Sequence, residues 1–388
     1  MDRWQASRLN DLPPYLFAEI DRRKREAIEA GRDLIDFGVG DPDRPTHSFI
    51  VERMQDAVAN PDHHRYALGA GMLEFRRTAA QFVARRFGVE VDPRTEVLAL
   101  LGSKEGIGHL PTAVVDPGDV VLVPDPGYPV YVSGTVFAGG KCHIMALSEE
   151  RGWLPSLEEI PPEVARAAKL MYLNYPNNPT GACAPHSFFE RAVAFAREYG
   201  ILIAHDAAYS EMFFGGPPPS ILQVPGARDL SIEFHSLSKT FNMTGWRIGF
   251  AVGNRDALAA LARVKSNLDS GAFEAVQVAG TAALGDADHP DVRGQIEIYR
   301  RRRDLLVAGL REAGFAVKPP EATFYVWAGC PVGTESMSVA RRLLDDADVV
   351  VIPGVGFGRR GEGYVRFALS VEEERTKVAA ERIRRLSW

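Results

Sequence analysis

One stretch of the chain reads Glu233-Phe-His-Ser-Leu-Ser-Lys-Thr-Phe-Asn-Met-Thr-Gly-Trp-Arg-Ile-Gly249. Within it Ser236, Ser238, Lys239 and Arg247 stand at fixed offsets. The apolar residues before them predict a buried strand, and Gly-Trp-Arg-Ile-Gly predicts a second strand over 245–249. A lysine between small hydroxyls suits an amine that condenses with an aldehyde. An arginine eight residues later suits a phosphate, which a planar guanidinium grips through two parallel hydrogen bonds.

Together these residues describe a site for pyridoxal 5'-phosphate, an aldehyde that carries a phosphate, joined to Lys239 as a Schiff base. From this stretch alone, the alternative is a surface lysine beside a structural arginine. The choice between the two depends on what the rest of the chain supplies.

Length and composition exclude several classes of protein. The chain has 388 residues, of which 46% are hydrophobic and 25% charged, and its net charge is -6. The length suits two domains, and the composition is typical of a soluble globular protein. The negative charge argues against nucleic acid as a partner. The basic clusters at 22–25 and 300–303 are mixed with acids, which indicates solvated helix faces.

The cysteines and histidines indicate neither disulfides nor a bound metal. Cys142, Cys183 and Cys330 are single and widely spaced, and the nine histidines form no ligand motif. The sequence has no signal peptide pattern and no apolar run of membrane-spanning length. We therefore expect a cytoplasmic protein with no metal site and no membrane partner.

Short apolar runs alternate with helical patterns from about residue 48 onward, which predicts a mostly parallel α/β sheet. Four of these runs lead into polar stretches: Gly102-Ser-Lys-Glu-Gly-Ile-Gly108, Asp125-Pro-Gly-Tyr128, Asn177-Asn-Pro-Thr-Gly181 and Asp206-Ala-Ala-Tyr209. The Lys239 stretch makes a fifth. Since the carboxyl ends of parallel strands line one crevice, we expect these residues to meet.

Each of these stretches also has an ordinary explanation when it is taken alone. The turn predicted over 102–108 either binds phosphate or simply starts a helix. Tyr128 either stacks on a flat ring or packs in the core. Asp206 either faces a ligand or caps the next helix.

Both ends of the chain are expected to form one smaller domain. Residues 13–31 predict a helix that begins at proline and ends at glycine. After about residue 285 long helical patterns interrupt the apolar runs. We predict a large domain over 48–285 and a smaller α+β domain formed by 1–47 and 286–388.

Over essentially its whole length the chain resembles the class I/II aminotransferases, the enzymes of fold type I that depend on pyridoxal phosphate. The resemblance rests on markers that stand in the expected order: Gly40, Tyr66, Gly102-Ser103-Lys104, Tyr128, Asn177-Asn178-Pro179-Thr180-Gly181, Asp206-x-x-Tyr209, Ser236-x-Ser238-Lys239, Arg247 and Arg366. It implies an α/β large domain, in which helices sandwich a mostly parallel sheet, and a smaller α+β domain.

The resemblance also implies roles at the cofactor. Lys239 would join the cofactor and later move a proton between the substrate Cα and the cofactor's C4'. Asp206 would hold the pyridine nitrogen, and Asn178 and Tyr209 would bond the phenolic oxygen. Tyr128 would stack on the ring. The phosphate would be held by Ser103, the backbone at Lys104, Ser236, Ser238 and Arg247, together with Tyr66 reaching in from the partner subunit of a homodimer.

For the substrates the resemblance implies an amino acid and a 2-oxo acid that react in turn, in a ping-pong transamination. Arg366 would clamp the α-carboxylate, and Gly40 would lend backbone at the same end. Lys104 would either meet a distal carboxylate or be a solvated residue. The substrate-binding set is completed by Tyr128 and Asn178.

Within the family the chain is most similar to the LL-diaminopimelate aminotransferases of lysine biosynthesis. The similar stretches are Gly102–Ile107, Val123–Tyr131, His205–Glu211, Glu233–Arg247 and Val264–Phe273. Residues 67–70 lack the acid that plant-type members carry, and Gly69 cannot receive a distal ammonium. An aminotransferase for alanine, aspartate, glutamate or another amino acid remains an alternative. A pyridoxal phosphate lyase and a regulator that does not turn over are further alternatives.

Overall fold

The computed structural model describes residues 4–12, 18–67 and 69–388, with the side chains of 18 and 19 left aside. The α-helices are α1 (Ala18–Glu29), α2 (Ser48–Ala59), α3 (Leu73–Phe87), α4 (Ser103–Val114), α5 (Val130–Phe137), α6 (Pro162–Ala167), α7 (His186–Tyr199), α8 (Leu237–Thr240), α9 (Arg255–Leu268), α10 (Glu274–Gly285), α11 (Pro290–Glu312), α12 (Ser336–Ala347) and α13 (Glu373–Arg384). For the helix predicted over 13–31, residues 13–17 lie outside the described residues.

The strands are short. They are β1 (Ile35–Asp36), β2 (Val97–Leu100), β3 (Val120–Asp125), β4 (Lys141–Ala146), β5 (Ala168–Asn174), β6 (Leu202–Asp206), β7 (Ser231–Ser236), β8 (Gly249–Gly253), β9 (Tyr325–Gly329), β10 (Val349–Val350), β11 (Ile352–Pro353) and β12 (Tyr364–Ala368).

The central sheet has seven strands in the order β2-β8-β7-β6-β5-β3-β4. Only β8 runs against its neighbours, β2 and β7, among the described strands of this sheet. Helices cover both faces: α3, α7 and α10 pack on one, and α4, α5 and α9 on the other. Because both faces are buried, the inner strands are almost continuously apolar, as Leu170-Met-Tyr-Leu173 of β5 illustrates. The predicted α/β fold is confirmed.

A second group of elements combines the two ends of the chain. Strand β1 pairs in parallel with β10, so that Ile35 lies opposite Val349. Strands β11, β12 and β9 form an antiparallel sheet. Side chains of α1, α11, α12 and α13 share one apolar core with these strands. The domain boundaries at 47 and 285 stay predictions.

Two local predictions were wrong. The strand predicted over 245–249 begins only at Gly249, because Thr244–Trp246 forms a 3-10 turn and Arg247 has a positive φ of 55°. The turn predicted over 102–108 is confined to Gly102, and α4 starts directly at Ser103. Both segments contribute residues to the candidate site, since Ser103, Thr244 and Arg247 line its cavity.

Candidate active site

The carboxyl ends of the central strands open into a cavity of about 600 Å³. Twelve of the thirteen residues proposed from the sequence line it: Gly40, Ser103, Lys104, Tyr128, Asn178, Asp206, Tyr209, Ser236, Ser238, Lys239, Arg247 and Arg366. Two other cavities in the described part of the chain are larger, at about 740 and 780 Å³, but neither contains Lys239 or Asp206. Cavity size alone therefore does not single out the cavity that these residues line.

Lys239 lies on the one-turn helix α8, which Ser236 caps by accepting a hydrogen bond from the Ser238 amide over 3.2 Å. Its Nζ donates to the carbonyl oxygen of Gly40 over 2.7 Å. Burial is the main reason that the pKa of Lys239 falls from 10.5 to about 8. Asp41 opposes this shift, and the positive charges of Arg366 and Arg247 reinforce it. The lowered pKa therefore increases the fraction of the amine that is neutral and nucleophilic near neutral pH.

Asp206 ends β6 and is only 5% exposed. Its Oδ2 accepts a hydrogen bond from the Tyr131 hydroxyl over 2.8 Å, and its Oδ1 accepts one from the Ala208 amide over 3.2 Å. Asn174 donates to the Asp206 backbone carbonyl over 2.8 Å and fixes the main chain. Burial raises the pKa of Asp206, and the hydrogen bonds from Tyr131 and Ala208 oppose that rise. A helix-capping role alone does not account for this carboxylate, because it also faces the cavity.

The end of the cavity near Arg247 has the features of an anion site. Helix α4 begins at Ser103 with its first amides directed outward. Ser236 and Ser238 add hydroxyls, and Arg247 donates to the carbonyls of Thr244 and Leu101. Gly102 has a φ of 77°, and a side chain there would collide with the Arg247 guanidinium. The positive φ therefore favours glycine here, and a side chain would displace the Arg247 guanidinium from this place.

Arg366 lies at the opposite end of the cavity, and 7% of its surface is exposed. Its Nη1 donates to Oδ1 of Asn178 over 2.8 Å, and its Nη2 donates to the carbonyl of Gly38 over 3.1 Å. The guanidinium stacks on the Tyr325 ring at 4.1 Å from the ring centroid. Because the carbonyl oxygen of Asn178 is engaged with Arg366, the amide N–H₂ is the end left to face the cavity.

Sequence reasoning missed Tyr325. Its hydroxyl lies 2.9 Å from the Tyr209 hydroxyl, and it packs so closely on Gly40 that any side chain at position 40 would collide with it. Tyr325 is diagonal to Arg366 across the β9–β12 pair, since Arg366 lies opposite Trp327. Its neighbours in sequence are aromatic or apolar, which predicts a residue of the hydrophobic core. The alternation of side chains along β9 and β12 places Tyr325 on the same face as Arg366, and this pattern could have identified it.

The remaining proposed residues divide between the cavity and the surface. Tyr128 lines the cavity, and burial raises the pKa of its phenol to about 12. Lys104 Nζ lies 5.8 Å from the Tyr128 ring centroid. Tyr66 does not line the cavity of its own chain and is 78% exposed. Its assignment to a partner's site stays a prediction.

The charges around the cavity are unbalanced. Among the residues that line it, the cations are Lys104, Lys239, Arg247 and Arg366, and the only acid is Asp206. Such a surface suits ligands with several negative charges, such as a phosphate and carboxylates. This is the chemistry that a phosphorylated cofactor and acidic substrates would bring together.

Two further findings bear on the expected absence of metals and membranes. Glu105, His109 and Asp269 bring possible metal-ligand atoms within 4.8 Å of one another. The ammonium of Lys265 already pairs with both carboxylates of this group, at 2.8 and 3.1 Å. Among the described residues no helix has the length and apolar character needed to cross a bilayer.

A family model described as aminotransferase class I and II matches residues 32–383. The LL-diaminopimelate aminotransferase of Syntrophobacter fumaroxidans is 54% identical over 385 residues, which are 99% of each chain. The protein of the same name from Aquifex aeolicus is 52% identical over 382 residues, 98% of each chain.

Solved structures share the fold of this chain over nearly its whole length. Substrate-bound BacF from Bacillus subtilis matches with a TM-score of 0.93 and 39% identity, covering 98% of this chain and 97% of that one. A probable N-succinyldiaminopimelate aminotransferase from Thermus thermophilus matches with a TM-score of 0.91 and 38% identity, covering 95% of this chain and 99% of that one.

Proposed function

The chain belongs to the class I and II aminotransferases, and we propose that it uses pyridoxal 5'-phosphate to move the amino group of LL-diaminopimelate to 2-oxoglutarate. The observation that carries the cofactor proposal is the arrangement of Lys239, Asp206 and Arg247 around one cavity at the strand ends. The donor proposal rests on 54% identity over 99% of the chain to an enzyme of that name.

The residues present fit pyridoxal phosphate. The Lys239 amine faces the cavity for the aldehyde, and the buried Asp206 carboxylate suits a protonated ring nitrogen. Tyr209 and the amide of Asn178 are donors for the phenolic oxygen, and burial raises the pKa of Tyr209 well above its ordinary value, so it stays protonated. Ser103, Ser236, Ser238 and Arg247 suit the phosphate, as does the start of α4 that contains the Lys104 amide. Tyr128 supplies an aromatic face.

When bound, the cofactor supplies an aldehyde that takes up the amino group and a ring that withdraws electrons from the substrate Cα. The chain's own residues carry the proton. Once free, the Lys239 Nζ would accept a proton from the substrate Cα and deliver it to the cofactor's C4', and its lowered pKa of about 8 suits both steps. The Asp206 carboxylate would hold the ring nitrogen, and the protonated phenol of Tyr209 would donate to the phenolic oxygen.

Arg366 is suited to the α-carboxylate of each substrate. A guanidinium has five N–H groups, and the bonds to Asn178 and Gly38 use two of them. The remaining donors can form the two parallel bonds that a carboxylate prefers. The contacts to Asn178, Gly38 and Tyr325 fix the guanidinium before the substrate arrives, so little ordering is needed on binding.

Lys104 is the side chain we assign to a distal carboxylate. Its ammonium makes no ion pair with the described residues and borders the cavity beside Tyr128. Diaminopimelate and 2-oxoglutarate both carry a second carboxylate, so one cation can serve both halves of the reaction. This use of Lys104 explains why a fourth positive charge lines the cavity.

We also infer a homodimer in which Tyr66 reaches the phosphate of the partner's site. Gly271 packs directly on the Ala67 carbonyl, so the loop that contains Tyr66 lies against the loop after α9. Leu268, the last residue of α9, and Phe273, at the end of that second loop, are exposed, at 61% and 40%. This adds an apolar surface around Tyr66 that a second copy could cover. We place this enzyme in the cytoplasm, because its three cysteines are unpaired.

A donor panel with 2-oxoglutarate as acceptor tests the function, with mass spectrometry of the acids that form. We expect kcat/KM for LL-diaminopimelate to exceed that for alanine, aspartate and glutamate by more than about tenfold. A higher kcat/KM for alanine, aspartate or glutamate would instead support an aminotransferase for that amino acid. An eliminated fragment in place of a 2-oxo acid would indicate a lyase, and the absence of turnover with any donor would indicate a regulator.

A further inference from the structure

The Asp206 carboxylate has a partner outside the cavity. Its Oδ2 accepts a hydrogen bond from the hydroxyl of Tyr131 over 2.8 Å. Tyr131 lies on α5, is 0% exposed and does not line the cavity. The residue therefore touches neither cofactor nor substrate, and acts on them only through Asp206.

We propose that Tyr131 is a positioning residue whose hydroxyl holds the Asp206 carboxylate in the orientation and charge state that the cofactor's ring nitrogen requires, an inference that rests on the proposed function. A carboxylate has two oxygens and turns about one bond. The Tyr131 hydroxyl holds Oδ2 and the Ala208 amide holds Oδ1, so its plane is fixed before the cofactor binds. Fixed orientation lowers the cost of making a directed bond to the nitrogen.

The charge state depends on the same hydrogen bond. Burial raises the pKa of Asp206, and the interaction that opposes this rise most strongly is the hydrogen bond from Tyr131. The pKa of Tyr131 is itself raised well above its ordinary value by burial, so the phenol stays protonated and always donates. The titratable groups whose charges interact with Asp206 are Tyr128, Tyr131, Tyr172, Tyr209, His205 and His235. Of these only Tyr131 donates a side-chain hydrogen bond to the carboxylate among the described residues, and the two histidines bond Glu233.

Tyr131 is rigid enough for this role. Its ring stacks on Tyr172 with centroids 4.7 Å apart and an angle of 23° between the planes. The Tyr128 ring, which lines the cavity, meets it edge-on at 5.9 Å. Thr135 donates to the Tyr131 carbonyl over 2.7 Å and fixes the backbone of α5.

Tyr172 provides a matched control. It is also 0% exposed and lies in the same aromatic stack, but its hydroxyl donates to the carbonyl of Ile107, not to Asp206. Tyr131→Phe and Tyr172→Phe therefore each remove one buried hydroxyl from neighbouring rings. Only the first removes a hydrogen bond from the Asp206 carboxylate.

The test compares two aldehydes, pyridoxal 5'-phosphate and its 1-deaza analogue, in which carbon replaces the ring nitrogen. We expect Tyr131→Phe to raise the dissociation constant of pyridoxal phosphate about tenfold or more and that of the deaza analogue less than about twofold. Tyr172→Phe should change both constants by less than about twofold. Equal losses for both aldehydes in Tyr131→Phe would mean that the tyrosine only shapes the pocket, and would overturn the proposal. So would an unchanged affinity for pyridoxal phosphate.

A second variant retains the hydroxyl and adds a readout without cofactor. With 3-fluorotyrosine at position 131 the phenol is more acidic and donates more strongly, so pyridoxal phosphate affinity should stay within about twofold of wild type. In the cofactor-free protein, infrared difference spectra against Asp206→Asn give the carboxyl pKa, which should fall in the fluorotyrosine protein. An unchanged pKa would contradict the proposal even if Tyr131→Phe failed to fold. Should wild type itself bind neither aldehyde, the proposed function fails, and this inference with it.

Discussion

Arg366 and Asn178 are joined by a hydrogen bond of 2.8 Å from Nη1 to Oδ1, although 188 positions separate them in the chain. Arg366 lies on β12 in the antiparallel sheet, and Asn178 lies in the loop that follows β5 of the central sheet. The bond therefore spans the cavity from one group of strands to the other. A substrate carboxylate that binds Arg366 would therefore lie beside the Asn178 side chain, which this bond holds in place.

The first prediction concerns Arg366. Arg366→Lys keeps the charge but loses the fork that bonds Asn178, Gly38 and a carboxylate at the same time. We expect kcat/KM to fall about 10- to 100-fold for both substrates, mainly through KM, and Arg366→Ala to lose more. Steady-state kinetics of each half-reaction measures this. Arg311→Lys, at an arginine that bonds the Val317 carbonyl away from the cavity, is the control. Unchanged apparent affinity for both substrates would count against the assignment.

The second prediction concerns the pH dependence of cofactor uptake. Only a neutral amine attacks an aldehyde, and burial lowers the pKa of Lys239 to about 8. The rate at which cofactor-free protein takes up pyridoxal phosphate should therefore rise with pH through a midpoint near 8 and level off at higher pH. Asp41→Asn removes a charge that stabilises the ammonium, so its midpoint should move to lower pH. Stopped-flow absorbance measures the rate, with a model amine to correct for titration of the cofactor. A midpoint near 10.5, the ordinary value, would contradict the buried amine.

The third prediction separates the phosphate site from the rest of the cofactor site. Arg247→Ala removes the guanidinium beside Gly102 and the start of α4. We expect the dissociation constant of pyridoxal phosphate to rise about 10- to 100-fold and that of pyridoxal, which has no phosphate, to stay nearly constant. Equilibrium titration with the two aldehydes makes the comparison. A parallel loss for both would show that Arg247 acts on the fold and not on the phosphate.

The fourth prediction concerns Tyr66, which is exposed in its own chain. Lys239→Ala and Tyr66→Ala should each be poorly active alone. In a hybrid dimer one site receives an intact Lys239 from one subunit and an intact Tyr66 from the other, so co-expression should restore activity. Light scattering establishes that dimers form. If hybrid dimers form and no activity returns, the placement of Tyr66 in the partner's site is wrong.

Much of the cofactor site could be predicted from the sequence because its residues sit in short stretches at strand ends. Lys239 and Arg247 belong to one such stretch, and Asp206 and Tyr209 belong to another. Parallel strands bring these ends together whatever the details of packing. The apolar runs of the buried strands likewise predicted the central sheet.

The missed residues depend on packing between distant segments. Tyr325 approaches Tyr209 across 116 positions, and Tyr131 approaches Asp206 across 75. Both are aromatic residues in apolar stretches of sequence, which predicts that each belongs to the hydrophobic core. The strand predicted over 245–249 failed because Arg247 takes a left-handed conformation there, which its neighbours in sequence do not reveal.

The covalent attachment of the cofactor tests the central claim most directly. Reduction of the cofactor-loaded protein with borohydride, followed by digestion and mass spectrometry, identifies the lysine that carries the pyridoxyl group. We predict a single adduct on Lys239, the amine that faces Gly40 in the cavity, and none in Lys239→Ala. A reduced adduct on Lys104, the other lysine that lines the cavity, or no adduct on any lysine, would contradict this account.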